Sequence, residues 1–386
     1  MRDKLQHYLI KLLEHNGSDL HLSAGSGVYM RIYSDLHQVR KEKLTVEEMV
    51  EVVKEIVTPS QYDQLVEEKE FDCSYVLEDG NRFRVNIFYQ IDGLGVVMRA
   101  IPNTILSFEE LHLPDVLKEL SDLKHGLVLV TGVTGSGKTT TLATMIDRIN
   151  RNKRKHIITI EDPIEFLHED KKSLVSQRAI GINSYSFGNA LRAALREDID
   201  VVNVGELRDL ETVEMALRAA STGHLVFSTL HTHDTKESIS RVIGMFPKEE
   251  QDRVRTTLSF VLEGVVSQRL VEAIDGGRIV AIEVMRRTGR IAELIAANRD
   301  NEILETIIAG KEIYGSQSFD QSLLGLYSQG KISRDEAIKN ATTPSDMKLT
   351  MEAFSKGSGD QKLSQKEKAP EQFFDLKSQE SVNSNI

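Results

Sequence analysis

The sequence lacks the cysteines needed for an internal disulfide or a multi-cysteine zinc site, because Cys73 is the only cysteine in 386 residues. Such scarcity suits a reducing compartment. No apolar run approaches the roughly 20 residues that span a bilayer. The N-terminal stretch MRDKLQHYLIKLLEHNGSD has the pattern of a charged amphipathic helix rather than of a signal peptide. We therefore expect a cytoplasmic protein without a transmembrane segment, which would reach a membrane through partners.

An excess of positive charge is also missing. The sequence has 48 Lys and Arg against 59 Asp and Glu, which gives a formal net charge of -11. Because clustered Lys and Arg dominate binding to nucleic-acid backbones, this charge argues against stable nucleic-acid binding. The length and the 40% hydrophobic content suffice for two packed domains and some unpacked sequence.

A glycine-rich segment at residues 132–139, GVTGSGKT, matches the phosphate-binding P-loop. The apolar run 126–131 predicts a buried strand before it, and the apolar spacing in 140–150 predicts a helix after it. In that setting backbone N–H groups face the phosphates, Lys138 reaches the terminal phosphates and Thr139 offers a hydroxyl to Mg²⁺. A glycine-rich turn that matches by chance is the alternative. The predicted nucleotide-binding residues are Gly132, Thr134, Gly135, Ser136, Gly137, Lys138, Thr139 and Thr140.

The first hundred residues predict a small α+β domain. Helices are expected near the N-terminus and over 45–57. Alternating apolar and polar residues predict strands over 19–25, 28–34, 71–76, 82–89 and 95–100. Arg82, Arg84 and Arg99 lie on these strands, where an exposed sheet face would account for them unless the domain faces a nucleotide.

From about residue 113 to 285, apolar strands alternate with amphipathic helices, which is typical of a parallel sheet covered on both faces. Ligands of such sheets bind at the carboxyl ends of the strands. The strand 157–160 is followed by three carboxylates, Glu161, Asp162 and Glu165. They would repel one another without a cation or water among them, so metal binding or water activation is favoured over a solvated charged loop.

Two further strands end in polar residues. Glu206 follows the strand 201–204, which suits a Walker B acid that acts on Mg²⁺. His231 and His233 follow the strand 225–229, and their spacing of two makes a zinc site a poor interpretation. A phosphate-sensing role for His231 is favoured over a purely structural histidine.

The remaining sequence predicts mostly helices. We expect a long helix over 248–270, a strand over 278–285, further helices over 289–310 and 319–342, and a polar disordered tail. The predicted divisions are an N-terminal domain, a linker, a core, a helical subdomain and the tail, at 1–101, 102–114, 115–290, 291–350 and 351–386.

Several separated motifs together resemble the PilT/PilU family of type IV pilus retraction ATPases, within the secretion ATPase superfamily. They are GVTGSGKTTTLA, ITIEDPIEF, ALRAALREDIDVVNVGELRDLET, TGHLVFSTLHT and SQRLV. The resemblance covers about residues 1–350. It implies an α/β protein with a PAS-like N-terminal domain, a RecA-like P-loop ATPase core, a helical C-terminal part and a homohexameric ring that binds ATP and Mg²⁺.

The resemblance also implies roles for individual residues. Glu165 would polarise the attacking water, Glu206 would be the Walker B acid and His231 would respond to phosphate. With Lys138, the implied catalytic residues also include Arg82, Arg84 and Arg99, which would supply charge to the phosphates. The expected contacts with Mg²⁺, made through the bound nucleotide, come from Thr139, Glu206 and Glu161.

The expected function is a motor that couples Mg-ATP hydrolysis to pilus retraction and twitching motility. Its expected partners are further copies of itself, an inner-membrane pilus platform protein and a paralogous retraction ATPase. Residues 290–302, RIAELIAANRDNE, depart from the principal retraction motors, and the later segments FDQSLLGLY and NATTPSDMKL are closer to the accessory ones. An accessory subunit with little autonomous activity is therefore one alternative. An assembly, DNA-uptake or secretion ATPase is disfavoured because no four-cysteine module is present.

Overall fold

The computed structural model describes residues 2–32, 35–102 and 104–357. These residues fall into two compact units, which divide between residues 103 and 104. We call them the N-terminal unit and the core unit. Within the described residues, no helix combines the length and the apolar character that crossing a bilayer requires.

The N-terminal unit is an antiparallel sheet of six described strands, with helices packed on its apolar face. The strands are β1 Gly17–Ser23, β2 Val28–Ile32, β3 Asp35–Arg40, β4 Glu70–Val76, β5 Arg82–Gln90 and β6 Gly93–Ile101, in the order β3-β2-β1-β6-β5-β4. The helices are α1 Arg2–Glu14, α2 Val46–Ile56 and α3 Pro59–Glu68. The predicted α+β fold is confirmed, although β3 and α3 were not predicted.

Alternation along β5 explains how this sheet holds its arginines on one face. Phe83, Val85 and Ile87 are fully buried against the helices, so the residues between them point to the other side of the sheet. Burying each of these side chains contributes about 1.5–3 kcal/mol. β3 has no buried position, and it therefore lacks the alternation by which a strand is found in a sequence.

The core unit is built on a sheet of seven described strands in the order β13-β12-β7-β11-β10-β8-β9. The strands are β7 Gly126–Thr131, β8 His156–Glu161, β9 Leu174–Ala179, β10 Val201–Val204, β11 Leu225–Leu230, β12 Leu262–Glu272 and β13 Arg278–Arg286. All neighbours pair in parallel except β12 and β13, which pair antiparallel. The predicted parallel sheet is confirmed, with an added antiparallel edge.

Helices cover this sheet and extend beyond it. They are α4 Val116–Ser121, α5 Lys138–Asn152, α6 Phe187–Ala194, α7 Leu210–Ser221, α8 Thr235–Gly244, α9 Gln251–Val261, α10 Gly289–Ala296, α11 Ile303–Ala309, α12 Lys311–Tyr314, α13 Phe319–Ser328, α14 Arg334–Asn340 and α15 Pro344–Gly357. Every residue of β7, β10 and β11 is buried, as expected for strands covered on both faces. The last helices pack around Phe319 and Leu323 against Val271 and Ile279.

The prediction of one helix over 248–270 is wrong beyond residue 261. α9 ends at Val261, and β12 begins at Leu262 and lies between β7 and β13. The apolar run at the start of this strand fits either structure locally. Pairing with β7, far away in the sequence, decides in favour of a strand.

Residues 102–114 were interpreted as a linker. Residues 104–114 instead belong to the core unit. Phe108 and Leu113 are buried in the core unit, and Thr144 Oγ1 donates a hydrogen bond to the Leu106 carbonyl at 2.8 Å. The sequence interpretation also began the tail at residue 351, whereas α15 continues to Gly357. Residues 358–386 of the predicted tail lie outside the described residues.

Candidate nucleotide site

The glycine-rich loop joins β7 to α5 at the carboxyl edge of the core sheet. Gly132, Gly135 and Gly137 have φ values of 146°, 79° and 88°, a region that residues with side chains rarely adopt. A Cβ atom on Gly132 would lie 2.5 Å from the Gln268 carbonyl oxygen and 2.5 Å from Ser136 Oγ. The backbone can follow this path only with glycine, and it ends at the N-terminus of α5, where anions bind favourably.

Lys138 begins α5, and its side chain curls back over the loop. Its Nζ atom donates hydrogen bonds to the carbonyl oxygens of Gly132 and Val133 at 2.8 and 3.0 Å. Burial lowers the pKa of this lysine, and the carboxylates of Glu206 and Glu165 act in the opposite direction. The buried ammonium is held by neutral carbonyl oxygens and can therefore receive an anionic ligand, whereas the two carboxylates favour a cation beside that ligand.

A cavity of about 750 Å³ opens beside this loop. It brings together residues from all four predicted strand ends, namely Thr134, Gly135, Gly137, Lys138, Thr139, Thr140, Glu161, Glu165, Glu206 and His231. Its size is that of a small-ligand or cofactor pocket. Parallel strands explain the convergence, because their carboxyl ends meet at one edge of the sheet.

A neighbouring cavity of about 450 Å³ shares Gly137, Thr140, Leu270 and Arg278 with the first. Ser136 lines this second cavity, whereas Gly132 is not among the described residues that line either cavity. Within the described residues, Ser136 Oγ and Gln268 Oε1 are buried and have no hydrogen-bond partner. Buried polar atoms of this kind ordinarily have a partner, so the site fits a ligand with polar groups.

The three carboxylates after β8 have different surroundings. Glu161 is buried, which raises its pKa, and it accepts hydrogen bonds from Thr159 Oγ1 at 2.6 Å and from the Glu165 backbone N–H at 3.3 Å. Glu165 itself is exposed at the cavity. Asp162 lies 3.6 Å from Arg208. Glu161 therefore anchors the start of the loop, and Glu165 is presented to the cavity.

Glu206 is in contact with two cationic or ionisable groups. Arg208 donates a hydrogen bond from Nε to Glu206 Oε2 at 2.7 Å, which raises the arginine pKa, and His231 Nε2 lies 3.4 Å from Glu206 Oε1. Sequence reasoning missed Arg208. Its position two residues after a strand-ending acid was the available signal.

The structure brings Arg82, Arg84 and Arg99 together on one face of the N-terminal sheet, where Arg84 lies opposite Arg99. Arg99 Nε donates a hydrogen bond to Asp19 at 2.7 Å, and Arg84 lies 3.8 Å from Asp72. Within the described residues, Arg82 Nε is buried without a partner. These residues belong to a different unit from the P-loop, so their predicted action on a nucleotide stays a prediction.

Metal binding by protein groups alone receives no support from the described residues, in which no group of three or more His, Cys, Asp or Glu side chains is placed to hold an ion. Thr139, Glu206 and Glu161 nevertheless line one cavity with the P-loop. These oxygens fit Mg²⁺ that is bound mainly through nucleotide phosphates.

Comparisons with known proteins agree with this geometry. The family model for "Type II/IV secretion system protein" matches residues 2–313. The type IV pilus retraction ATPase PilT of Pseudomonas aeruginosa is 46% identical over 327 residues, which are 85% of this chain and 95% of PilT. The type IV pilus ATPase PilU of the same organism is 37% identical over 350 residues, 90% of this chain and 91% of PilU.

A solved structure also shows similarity to PilT. A crystal structure of the pilus retraction motor PilT with bound ADP has a TM-score of 0.82 and 42% sequence identity, and the match covers 89% of this chain and 98% of that one. The ATPase interpretation of the P-loop is therefore confirmed. This chain belongs to the type II/IV secretion system protein family, among relatives that include the PilT and PilU ATPases.

Proposed function

We propose that this protein is an ATPase motor that couples hydrolysis of Mg-ATP to retraction of a type IV pilus and thus to twitching motility. The observation that carries the proposal is the convergence of Lys138, Glu165, Glu206 and His231 on one cavity at the P-loop. The similarity to PilT over most of the chain supports the cellular role.

Hydrolysis at this site rests on positioning and charge, since phosphoryl transfer needs little covalent chemistry from the protein. The backbone N–H groups of the loop and Lys138 bind the phosphates. Thr139, Glu206 and Glu161 would hold Mg²⁺ together with the phosphates, and the ion would neutralise phosphate charge. Glu165 orients the attacking water and His231 responds to the terminal phosphate.

The active form is a homohexamer. Arg82, Arg84 and Arg99 supply further positive charge to the phosphates, from the N-terminal unit of the same chain or of a neighbouring copy. Similarity to a retraction motor and the placement of the three arginines on one face of the N-terminal sheet support this arrangement. The ring works in the cytoplasm at the pilus base, where it contacts an inner-membrane platform protein and a paralogous retraction ATPase.

An accessory role in a retraction complex is the second candidate. The specific observation is the segment 290–302, which departs from the principal motors. Its charges pair locally, since Arg290 lies 3.1 Å from both Glu293 and Glu302 and Arg299 lies 2.5 Å from Glu302. PilU also aligns over 90% of the chain.

ATPase measurements on the purified full chain test the chemistry. Lys138→Ala and Glu165→Gln should each abolish turnover, and Glu165→Gln should still bind nucleotide. Lys155→Ala is the matched control, because Lys155 forms a partly exposed ion pair with Asp200. Substantial ATPase activity in either site variant would contradict these assignments.

Retraction in cells tests the role. Deletion of the gene should leave cells hyperpiliated if the protein retracts pili, and a loss of pili would indicate assembly instead. Retraction in cells with Glu165→Gln, scored with and without a paralogous ATPase, separates the two candidates. Persistence of retraction only when the paralogue is present would identify an accessory subunit.

A further inference from the structure

Gln177, on β9 at the edge of the core sheet, makes an unusual set of contacts with the segment that carries Glu165. Its Oε1 atom accepts a hydrogen bond from the His168 backbone N–H at 2.8 Å. Its Nε2 atom donates to the Phe166 carbonyl at 2.9 Å and lies 3.4 Å from Glu161 Oε1. One side-chain amide thus binds the backbone just after Glu165, at Phe166 and His168, and also contacts the Glu161 side chain.

These contacts matter because residues 162–173, which we call the acidic loop, contain no helix or strand. Its backbone is therefore not fixed by a regular ladder of hydrogen bonds, and side chains must supply the fixation. The register of β8 and β9 places Gln177 beside Thr159. The sheet thus fixes the backbone from which this amide extends.

The far part of the loop is held separately. Asn150, fully buried on the P-loop helix α5, donates to the Glu169 carbonyl at 2.7 Å and accepts from the Lys171 N–H at 3.0 Å. Its own carbonyl accepts from the Lys172 N–H at 2.8 Å. Asn150 ties the far part of the loop to α5, whereas the part next to Glu165 is held by Glu161, which binds the Glu165 N–H, and by Gln177, which binds the residues after it.

We propose that Gln177 is a positioning residue for ATP hydrolysis, acting through the placement of Glu165. The inference rests on the proposed function, in which Glu165 orients the attacking water. Gln177 is not among the described residues that line the cavity, so it has no direct part in nucleotide binding. Misplacement of a reacting group by about 1 Å can cost about 100-fold in rate, and an amide that sets the loop position controls such a displacement.

The test compares Gln177→Met with the unaltered full chain. Methionine keeps the length of the side chain and removes its hydrogen bonds. The expected result is a kcat lower by about 10- to 100-fold, with the KM for Mg-ATP and the affinity for a fluorescent ADP analogue unchanged. The amide of His168 should exchange faster with solvent, while exchange in the rest of the core unit stays the same.

Ser176→Ala is the matched control. Ser176 is the preceding residue on β9, and its hydroxyl lies 3.3 Å from His156 Nε2, away from the acidic loop. The Ser176→Ala variant should leave kcat unchanged. Gln177→Glu serves as a second variant if Gln177→Met does not fold, because it keeps the acceptor for His168 and loses the donor to Phe166.

Full turnover in a folded Gln177 variant, while the unaltered chain is active, would overturn this inference alone. A variant that loses nucleotide affinity to the same extent as kcat would also overturn the inference, because such a loss would indicate general disruption of the site. An unaltered chain with no turnover would contradict the proposed function, and the role of Gln177 with it.

Discussion

His231 Nε2 lies 3.4 Å from Glu206 Oε1, so the ends of the neighbouring strands β11 and β10 are joined at the rim of the nucleotide cavity. Both residues were singled out in the sequence because they follow apolar strands. Their contact depends on the parallel pairing of those strands, with Val204 opposite Ser228. A change at either residue should therefore affect the other.

His231→Ala should lower kcat by about 100-fold with little change in stability, because the site loses the group that responds to the terminal phosphate. The measurement is steady-state ATPase activity of the purified full chain. His233→Ala is the control, since His233 is exposed, lies two residues further on and pairs with Glu237 at 2.9 Å. Equal losses in the two variants would refute a specific role for His231.

Arg84→Ala should lower kcat by about a thousandfold if arginines of the N-terminal unit act on the phosphates. Arg40→Ala, which removes an arginine near Glu48 on the same unit, should leave turnover intact. Mixing inactive Arg84→Ala with inactive Lys138→Ala tests where the arginine acts. Partial recovery of activity would show that sites are completed by neighbouring copies, and no recovery would place the arginine in the same chain. Full activity of the Arg84→Ala protein would show that Arg84 has no role in hydrolysis.

Gly132→Ala should abolish nucleotide binding and destabilise the core unit by about 1–3 kcal/mol, because the residue has a φ of 146° and its new Cβ would meet the Gln268 carbonyl at 2.5 Å. Thermal unfolding and binding of a fluorescent nucleotide measure the two effects. Gly244→Ala is the control, since an added Cβ there meets no atom within 4 Å. Normal binding by Gly132→Ala would contradict the observed loop geometry.

We expect the buried His168 to make the folded protein less stable in acid. Burial lowers its pKa from 6.5 to about 4, with Asp147 opposing the shift and Lys171 adding to it. Between these values the unfolded chain binds a proton that the folded chain does not, so stability falls as the pH falls. The contribution of His168 should be about 2 kcal/mol smaller at pH 5 than at pH 7.

Urea unfolding of His168→Leu at both pH values measures this contribution. The variant should show a smaller difference in unfolding free energy between pH 7 and pH 5 than the unaltered chain. His233→Leu, at an exposed histidine, is the control for the removal of a histidine side chain. An identical pH dependence in His168→Leu and the unaltered chain would show that His168 titrates normally in the folded state.

Local patterns in the sequence were sufficient for much of the fold. β7, β10 and β11 are short apolar runs followed by polar residues, and such runs are recognisable because both faces of a parallel strand are buried. β3 escaped prediction because its side chains are exposed. β12 was taken for a helix because its state depends on pairing with β7.

The sequence by itself determined the chemistry of the site, since the glycines, Lys138 and the strand-ending acids have local patterns tied to phosphate binding. Only the tertiary structure decided which groups act together. Glu161 holds the backbone of Glu165, Arg208 pairs with Glu206, and Gln177 binds the chain just after Glu165. Such contacts arise from strand order and register, which bring distant residues together, and no local spacing encodes them.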